Sequence, residues 1–208
     1  MFRHFKALLL ACVLSYAQPV LAFDVRVPEV GQLREYFDTH IAVLPEMPVH
    51  LRQAFVLIEN PKFFESPAFR SPITLAVASL VGPDRPSQAE RLANVLAISQ
   101  TFGKEEILQL YLHKVFLGRG CFGVEDAAQA YFGQSVQDLT LLQIAFLAGL
   151  PVAPVAFDPE RFPDRAHKRR NEVLTQLAHR GFPPADQLQT MKTQPTGFLS
   201  PLRSCRSD

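Results

Sequence analysis

The sequence predicts a single domain of mainly α class, and three observations support that prediction. Apolar residues recur at spacings of three and four positions, proline and glycine separate these stretches, and no strict alternation is long enough for a sheet. The chain has 208 residues, of which 48% are hydrophobic. That length and composition suit one globular core of ordinary size.

The helical pattern begins after an irregular segment that we expect over residues 23–50, where prolines are frequent. A first helix is predicted for Leu51–Glu59, because Asn60-Pro61 favours a stop. A second helix covers Ala89–Ala97, a third begins after Gly103 with two glutamates in its first turn, and a fourth begins near Val124.

Two further helices complete the predicted domain. Thr140 to Gln143 form a capping-box pattern that opens a helix over Leu141–Leu150. That segment is apolar on every face, so we expect it at the centre of the domain. The last helix is predicted to begin at Asp164 as N-cap and to end at Gly181.

The two ends of the chain carry signals of their own. Residues 1–22 have two basic residues, a short apolar stretch and small residues before a cleavage point after Ala22, which is the layout of a secretory signal peptide. A lipid attachment at Cys12 is a minor alternative. We therefore expect secretion across the inner membrane to the periplasm, a domain over residues 23–182, and a loose polar tail over 183–208.

Charge and motif content exclude several function classes. Lys plus Arg number 21 against 20 Asp plus Glu, so no basic surface for nucleic acid is expected. The G-x-G-x-x-G match at Gly118 follows a helix, which excludes a dinucleotide site. The histidines lack the spacing of metal ligands. A bound divalent cation remains an alternative, but nothing in the sequence indicates one. Cys121 and Cys205 could pair, or could be a buried thiol and a loose one.

One long segment resembles a known family. Residues 103–133 read GKEEILQLYLHKVFLGRGCFGVEDAAQAYFG, and this segment is similar to the central block of the peptidoglycan glycosyltransferases, glycosyltransferase family 51. Two flanking segments extend the resemblance to about residues 45–178: PVHLRQAFVLIENPKFF upstream and LTLLQIAFLAGLPVAPVAF downstream. The resemblance implies a lysozyme-like helical transglycosylase lobe that polymerises lipid II into glycan strands, without a nucleotide cofactor.

The same resemblance implies a set of site residues. Glu59 aligns with the glutamate that acts as general base on the acceptor hydroxyl, and Phe55, Phe63 and Phe64 are expected to give it a partly apolar setting. The substrate-binding residues that we expect are Ser71, Thr74, Arg91, Lys104 and Arg119. The last three would offer positive charge to the pyrophosphate of the substrate.

Several positions depart from the pattern of the family. Asn60 replaces an aspartate, Arg91 aligns with a second glutamate, and Glu90 is one position away from it. Gln143 replaces another glutamate, but a capping box accepts either residue. Only twelve positions lead from Glu59 to Ser71, where the family has a much longer connection over the acceptor groove. We therefore expect a degraded active site.

Three functions follow from these observations. The first is a shortened transglycosylase that acts on lipid II or a related undecaprenyl-linked glycan at a membrane surface. The second is a non-catalytic periplasmic relative that binds this glycan or serves as a scaffold for proteins of cell-wall synthesis. The third is a lysozyme-like hydrolase with Glu59 as acid, which ranks last because the central block resembles no lytic family.

Overall fold

The computed structural model describes residues 29–83 and 85–205. Helices dominate this part of the chain: α1 Val30–Tyr36, a π-helix Phe37–Ile41, α2 Val49–Glu59, α3 Pro72–Ala78, α4 Gln88–Thr101, α5 Lys104–Lys114, α6 Val124–Phe132, α7 Leu141–Gly149, α8 Pro163–Ala178 and α9 Ala185–Thr193. The described residues contain no strand, only an isolated bridge between Phe116 and Phe122. The predicted mainly α class is confirmed.

Helix α7 is the centre of the domain, as its all-round hydrophobicity predicts. Every residue from Leu142 to Gly149 is buried, and the helix packs against α2, α6 and α8. Its first turn is closed by a capping box in which the Thr140 amide donates to the Gln143 side chain at 2.8 Å. Gln143 therefore serves in the cap as a glutamate would.

The segment before α2 is helical, although its prolines predicted an irregular path. Leu33, Phe37 and Ile41 recur every four residues and are all buried, so one helical face joins the core. Phe37 also packs edge-on against Phe102 at 5.8 Å. The prolines that suggested irregularity lie outside α1 and the π-helix.

Two helix starts also differ from expectation. Helix α3 was not predicted; it begins where the buried hydroxyl of Ser71 accepts the amide of Ile73 at 3.1 Å, with a proline in its first turn. Helix α8 begins at Pro163 with Phe162 as N-cap, so Asp164 is a first-turn acid rather than the N-cap. In both cases the proline occupies a position where its missing N–H costs no hydrogen bond.

Residues 183–205 are ordered against the domain, so the prediction of a loose tail is wrong for this part. After α9, Phe198 stacks on Phe132 at 5.5 Å and meets Phe146 edge-on at 4.8 Å. The amide of Leu199 donates to the carbonyl of Tyr131 at 2.9 Å, and Leu202 is buried. A few apolar anchors are sufficient to hold a segment that is otherwise polar.

Arg170 of α8 holds the same tail from the inside. Its side chain is fully buried, and its guanidinium donates to the carbonyls of Lys192 and Gln194, each at 2.9 Å, and to the Thr196 hydroxyl at 2.7 Å. Burial lowers the pKa of this arginine. The charge is solvated by tail oxygens, as a buried cation requires.

A disulfide between Cys121 and Cys205 closes the tail onto the α5–α6 connection, with the two Cα atoms 4.9 Å apart. The sequence left this pairing open.

The predicted signal peptide and Cys12 lie outside the described residues. Within the described ranges, no helix has both the length and the apolar character that a membrane span requires.

Candidate functional site

Glu59 is the last residue of α2 and lies partly buried at the end of that helix. Burial raises the pKa of its carboxyl, and two neighbours oppose the rise: a hydrogen bond with the Tyr111 side chain and the positive charge of Arg169. A carboxyl whose pKa is raised accepts a proton more strongly once it is ionised. This is the property that a general base requires.

Tyr111 reaches Glu59 from α5. The tyrosine is buried, and its ring meets Phe55 edge-on at 6.3 Å, which fixes the ring one helical turn below Glu59. Burial and the neighbouring carboxylate raise the pKa of the Tyr111 phenol well above its ordinary value. The phenol therefore stays protonated and can donate its hydrogen bond to Glu59.

Arg169 brings a positive charge to the site from α8. Its Nε donates to the carbonyl of Gly149 at 3.0 Å, and its Nη1 lies 3.3 Å from the Glu172 carboxylate. A β-carbon at position 149 would be only 3.0 Å from Cγ of Arg169. Glycine at the end of α7 thus permits the arginine to pass this close to the helix.

The sequence after Glu59 connects the site to α3. The side-chain amide of Asn60 donates to the hydroxyl of Ser71 at 3.0 Å. Asn60, which replaces the aspartate of the family pattern, therefore connects the end of α2 to the N-cap of α3. Thr74, one turn further on, is fully buried, and its hydroxyl finds no hydrogen-bond partner among the described residues. Ser71 therefore has a structural role, and the convergence of Glu59 and Thr74 on one groove stays a prediction.

The three phenylalanines that the sequence predicted around Glu59 differ in burial. Phe55 and Phe63 are completely buried, whereas Phe64 is 46% exposed. Phe63 and Phe64 meet edge-on at 5.0 Å. Two of the three phenylalanines therefore belong to the core, and the third lies at the surface.

Arg91 lies exposed on α4, with its Nε 3.3 Å from the carbonyl of Pro86. Its neighbour Glu90 forms a capping box with Ser87, whose amide donates to the glutamate at 2.6 Å. The carboxylate of Glu90 is therefore bound to the start of its own helix. This capping bond argues against Glu90 as a substitute for the second glutamate of the family.

The other two expected phosphate-binding residues also have partners within the fold. Lys104 donates to the carbonyl of Phe64 at 2.6 Å. Arg119 contacts the carboxylates of Asp158 at 2.8 Å and Glu160 at 2.9 Å, and it also donates to the carbonyl of Arg203 at 2.9 Å. Their role in binding pyrophosphate stays a prediction.

Sequence reasoning missed the two groups that oppose the rise in the pKa of Glu59. Tyr111 lies in the central block of the resemblance and Arg169 within its range of about residues 45–178, but neither was given a role. A tyrosine in a buried stripe needs a partner for its hydroxyl, which is the one signal that could have pointed to Tyr111.

Over the described ranges, no group of three or more His, Cys, Asp or Glu has a geometry that could hold a metal ion.

Replacing Tyr111 by phenylalanine is expected to raise the pKa of Glu59 further, because the carboxylate loses a hydrogen bond that favours its charged form. A raised pKa in the folded state means that protonated Glu59 contributes stability at low pH, which is lost as pH rises through that pKa. In Tyr111→Phe this loss should move to higher pH. Carbon-detected NMR titration of the Glu59 carboxyl measures the shift.

Tyr131→Phe is the matched control, since its hydroxyl is buried on α6 and donates to the carbonyl of Leu117 at 2.9 Å instead. This control should leave the titration of Glu59 unchanged. An equal titration in wild type and Tyr111→Phe would contradict the assigned hydrogen bond.

Comparison with known proteins identifies the family of this chain. The family model for the transglycosylase domain matches residues 85–178. The chain is 34% identical to penicillin-binding protein 1A of Escherichia coli over 176 residues, which cover 73% of this chain and 21% of that protein. It is 42% identical to penicillin-binding protein 1A of Aquifex aeolicus over 100 residues, 48% of this chain and 14% of that protein.

A solved structure shows the same relationship. The crystal structure of penicillin-binding protein 1A from Haemophilus influenzae superposes with a TM-score of 0.51 at 28% identity, over 74% of this chain and 17% of that one. The chain thus spans about a fifth or less of the relatives that it matches. It belongs to the transglycosylase family, glycosyltransferase family 51, and its lysozyme-like helical lobe is a transglycosylase domain of the penicillin-binding protein type.

Proposed function

We propose that this chain binds lipid II, or a related undecaprenyl-linked glycan, and transfers its sugar slowly with Glu59 as general base. The observation that carries the proposal is the partly buried Glu59 carboxyl, whose pKa burial raises while Tyr111 and Arg169 oppose that rise. In this reaction the ionised carboxylate removes the proton of the acceptor hydroxyl as the oxygen attacks the anomeric carbon. The bond to the pyrophosphate breaks, and undecaprenyl pyrophosphate leaves.

The rate should be low because several site groups have other roles. Asn60 is hydrogen-bonded to Ser71, and Arg91, which aligns with the second glutamate, reverses the charge at that position. The connection from Glu59 to Ser71 is short as well. Positioning of substrates can account for about 7–11 kcal/mol of a barrier, so loss of part of it outweighs retention of one base.

Exposed apolar side chains support an encounter with the membrane that carries such a substrate. Four large apolar side chains are 40–58% exposed on elements that pack against one another: Phe69, Leu75, Leu92 and Leu96. Arg70 and Arg91 are also exposed in these elements. Apolar side chains flanked by arginine are typical of surfaces that lie at the boundary of an anionic bilayer.

The disulfide between Cys121 and Cys205 supports a periplasmic location, because such bonds persist in oxidising compartments and are rare in the cytosol. The signal-peptide pattern of residues 1–22 agrees with this location. Proteins of cell-wall synthesis are the partners that such a location makes available.

A non-catalytic role in binding the same glycan is the second candidate. It is favoured by the internal partners of Lys104 and Arg119, which bind the Phe64 carbonyl and the carboxylates of Asp158 and Glu160 instead of facing solvent unpaired. A protein of this kind would retain affinity for lipid II and show no turnover.

Labelled lipid II in liposomes distinguishes the two candidates. We expect the purified protein, expressed with its leader and oxidised, to sediment with these liposomes and to consume lipid II slowly, with release of undecaprenyl pyrophosphate. Consumption at the wild-type rate in Glu59→Gln would contradict Glu59 as the base. Sedimentation without any consumption would support the non-catalytic role, and absence of both would contradict the proposal.

A further inference from the structure

A groove of about 540 Å³ lies between α2, α5 and the end of α8. Glu59 is not among its lining residues. The walls are apolar side chains contributed by all three helices and by the turn after α2: Val56, Leu57, Pro61, Phe64, Leu108 and Leu177. Its volume is within the range of small-molecule sites.

The polar groups of the groove are mainly nitrogen donors. Arg52, Arg180 and His50 line it together with the amide of Gln53, and no described Asp or Glu lines it. His50 stacks on Phe182 at 4.2 Å, and both rings line the groove. Arg52 is paired with Glu105 outside the groove, whereas Arg180 is exposed and forms no ion pair with any described residue. The groove therefore favours a negatively charged group near Arg180.

The backbone around the groove argues against a peptide as its occupant. The walls are helices whose amides and carbonyls are paired internally, and the carbonyl of Leu177 at the end of α8 already accepts the amides of Arg180 and Phe182 at 2.9 and 3.1 Å. An extended peptide would leave its own amide groups unpaired against these walls.

We propose that this groove binds a single-chain anionic amphiphile. The hydrocarbon or isoprenoid chain lies along the apolar walls, and its phosphate or carboxylate head contacts the guanidinium of Arg180 beside His50. A hydrocarbon chain needs no hydrogen bonds from the walls, and a charged head forms strong ones with arginine. The groove would thus recognise a lipid by its tail and its charge together.

The experiment is titration of the oxidised protein with decyl phosphate, below its micelle concentration, followed by the amide NMR signals of Leu57 and Arg180. Saturable shifts at both positions are expected. Octyl phosphate, shorter by two methylenes, should bind about tenfold more weakly. Decanoate tests whether a carboxylate head is accepted, and inorganic phosphate should produce no shift at Leu57.

Two variants test the charge that the proposal requires. Arg180→Gln should weaken decyl phosphate binding about tenfold, and Gln53→Glu, an exposed change that places a carboxylate in the groove, should weaken it further. Arg165→Gln removes an exposed arginine from the other end of α8 and should bind like wild type.

Decyltrimethylammonium has the same chain and the opposite charge, so it should bind at least tenfold more weakly than decyl phosphate. Equal binding of the two amphiphiles, shifts that do not saturate, or indifference to both Arg180→Gln and Gln53→Glu would overturn the proposal. None of these measurements uses lipid II, so they stand apart from the glycosyl-transfer assay.

Discussion

Glu59→Gln is expected to lower the rate of lipid II consumption by about 10²–10⁴-fold, the usual contribution of a positioned general base. The amide has nearly the same size and can still accept the hydrogen bond of Tyr111, so the end of α2 should keep its structure. It cannot accept the proton of the acceptor hydroxyl. Initial rates of consumption in liposomes, measured at several pH values, give the comparison.

The pH dependence adds a second criterion for the same residue. Because burial raises the pKa of Glu59, wild-type activity should increase as pH rises through that pKa and the base becomes ionised. The increase should be absent in Glu59→Gln. Glu65→Gln, an exposed change shortly after α2, should behave as wild type, and a wild-type rate in Glu59→Gln would exclude Glu59 as the base.

Replacement of both Cys121 and Cys205 by serine is expected to lower the free energy of unfolding by about 4 kcal/mol. The disulfide joins residues 84 positions apart, and closing a loop of that length restricts the unfolded chain strongly in the chain-entropy model. Urea unfolding monitored by circular dichroism measures the change. The tail contacts of Phe198 and Leu202 should persist in the variant, because they do not depend on the sulfur atoms.

Wild-type protein with its disulfide reduced provides the control for the serine changes. Reduced wild type and the double variant should have similar unfolding midpoints in urea. If the free energy of unfolding fell by less than 1 kcal/mol in both the reduced wild type and the double variant, the entropic role assigned to the bond would be contradicted.

The elements that sequence predicted well are those whose signals are local. Helix α7 follows from an apolar stretch and a capping box within Thr140 to Leu150, and both features lie within a dozen residues. The tail was predicted to be loose because its composition is polar. Its order comes from residues of other elements: the ring stack of Phe132 on Phe198, and the contacts of Arg170 with tail oxygens. The composition of the tail alone cannot indicate its contacts with other elements.

The candidate site shows the same division. Glu59 could be predicted because the sequence around it resembles one contiguous motif. Tyr111 and Arg169 lie on α5 and α8, far from Glu59 in sequence, and only the packing of those helices brings their side chains to its carboxyl. Burial and such neighbours together determine the pKa of a carboxyl, so a motif can indicate a candidate base without indicating its proton affinity.

The bond between Cys121 and Cys205 also has a consequence for the order of events during biosynthesis. At a synthesis rate of roughly 5–20 residues per second, the ribosome needs about 4–17 s to add the 84 residues that lead from one cysteine to the other. Helix α5 precedes this stretch of chain, and helices α6 to α9 all lie within it. The bond can therefore form only after the sequence of all these helices has been synthesised.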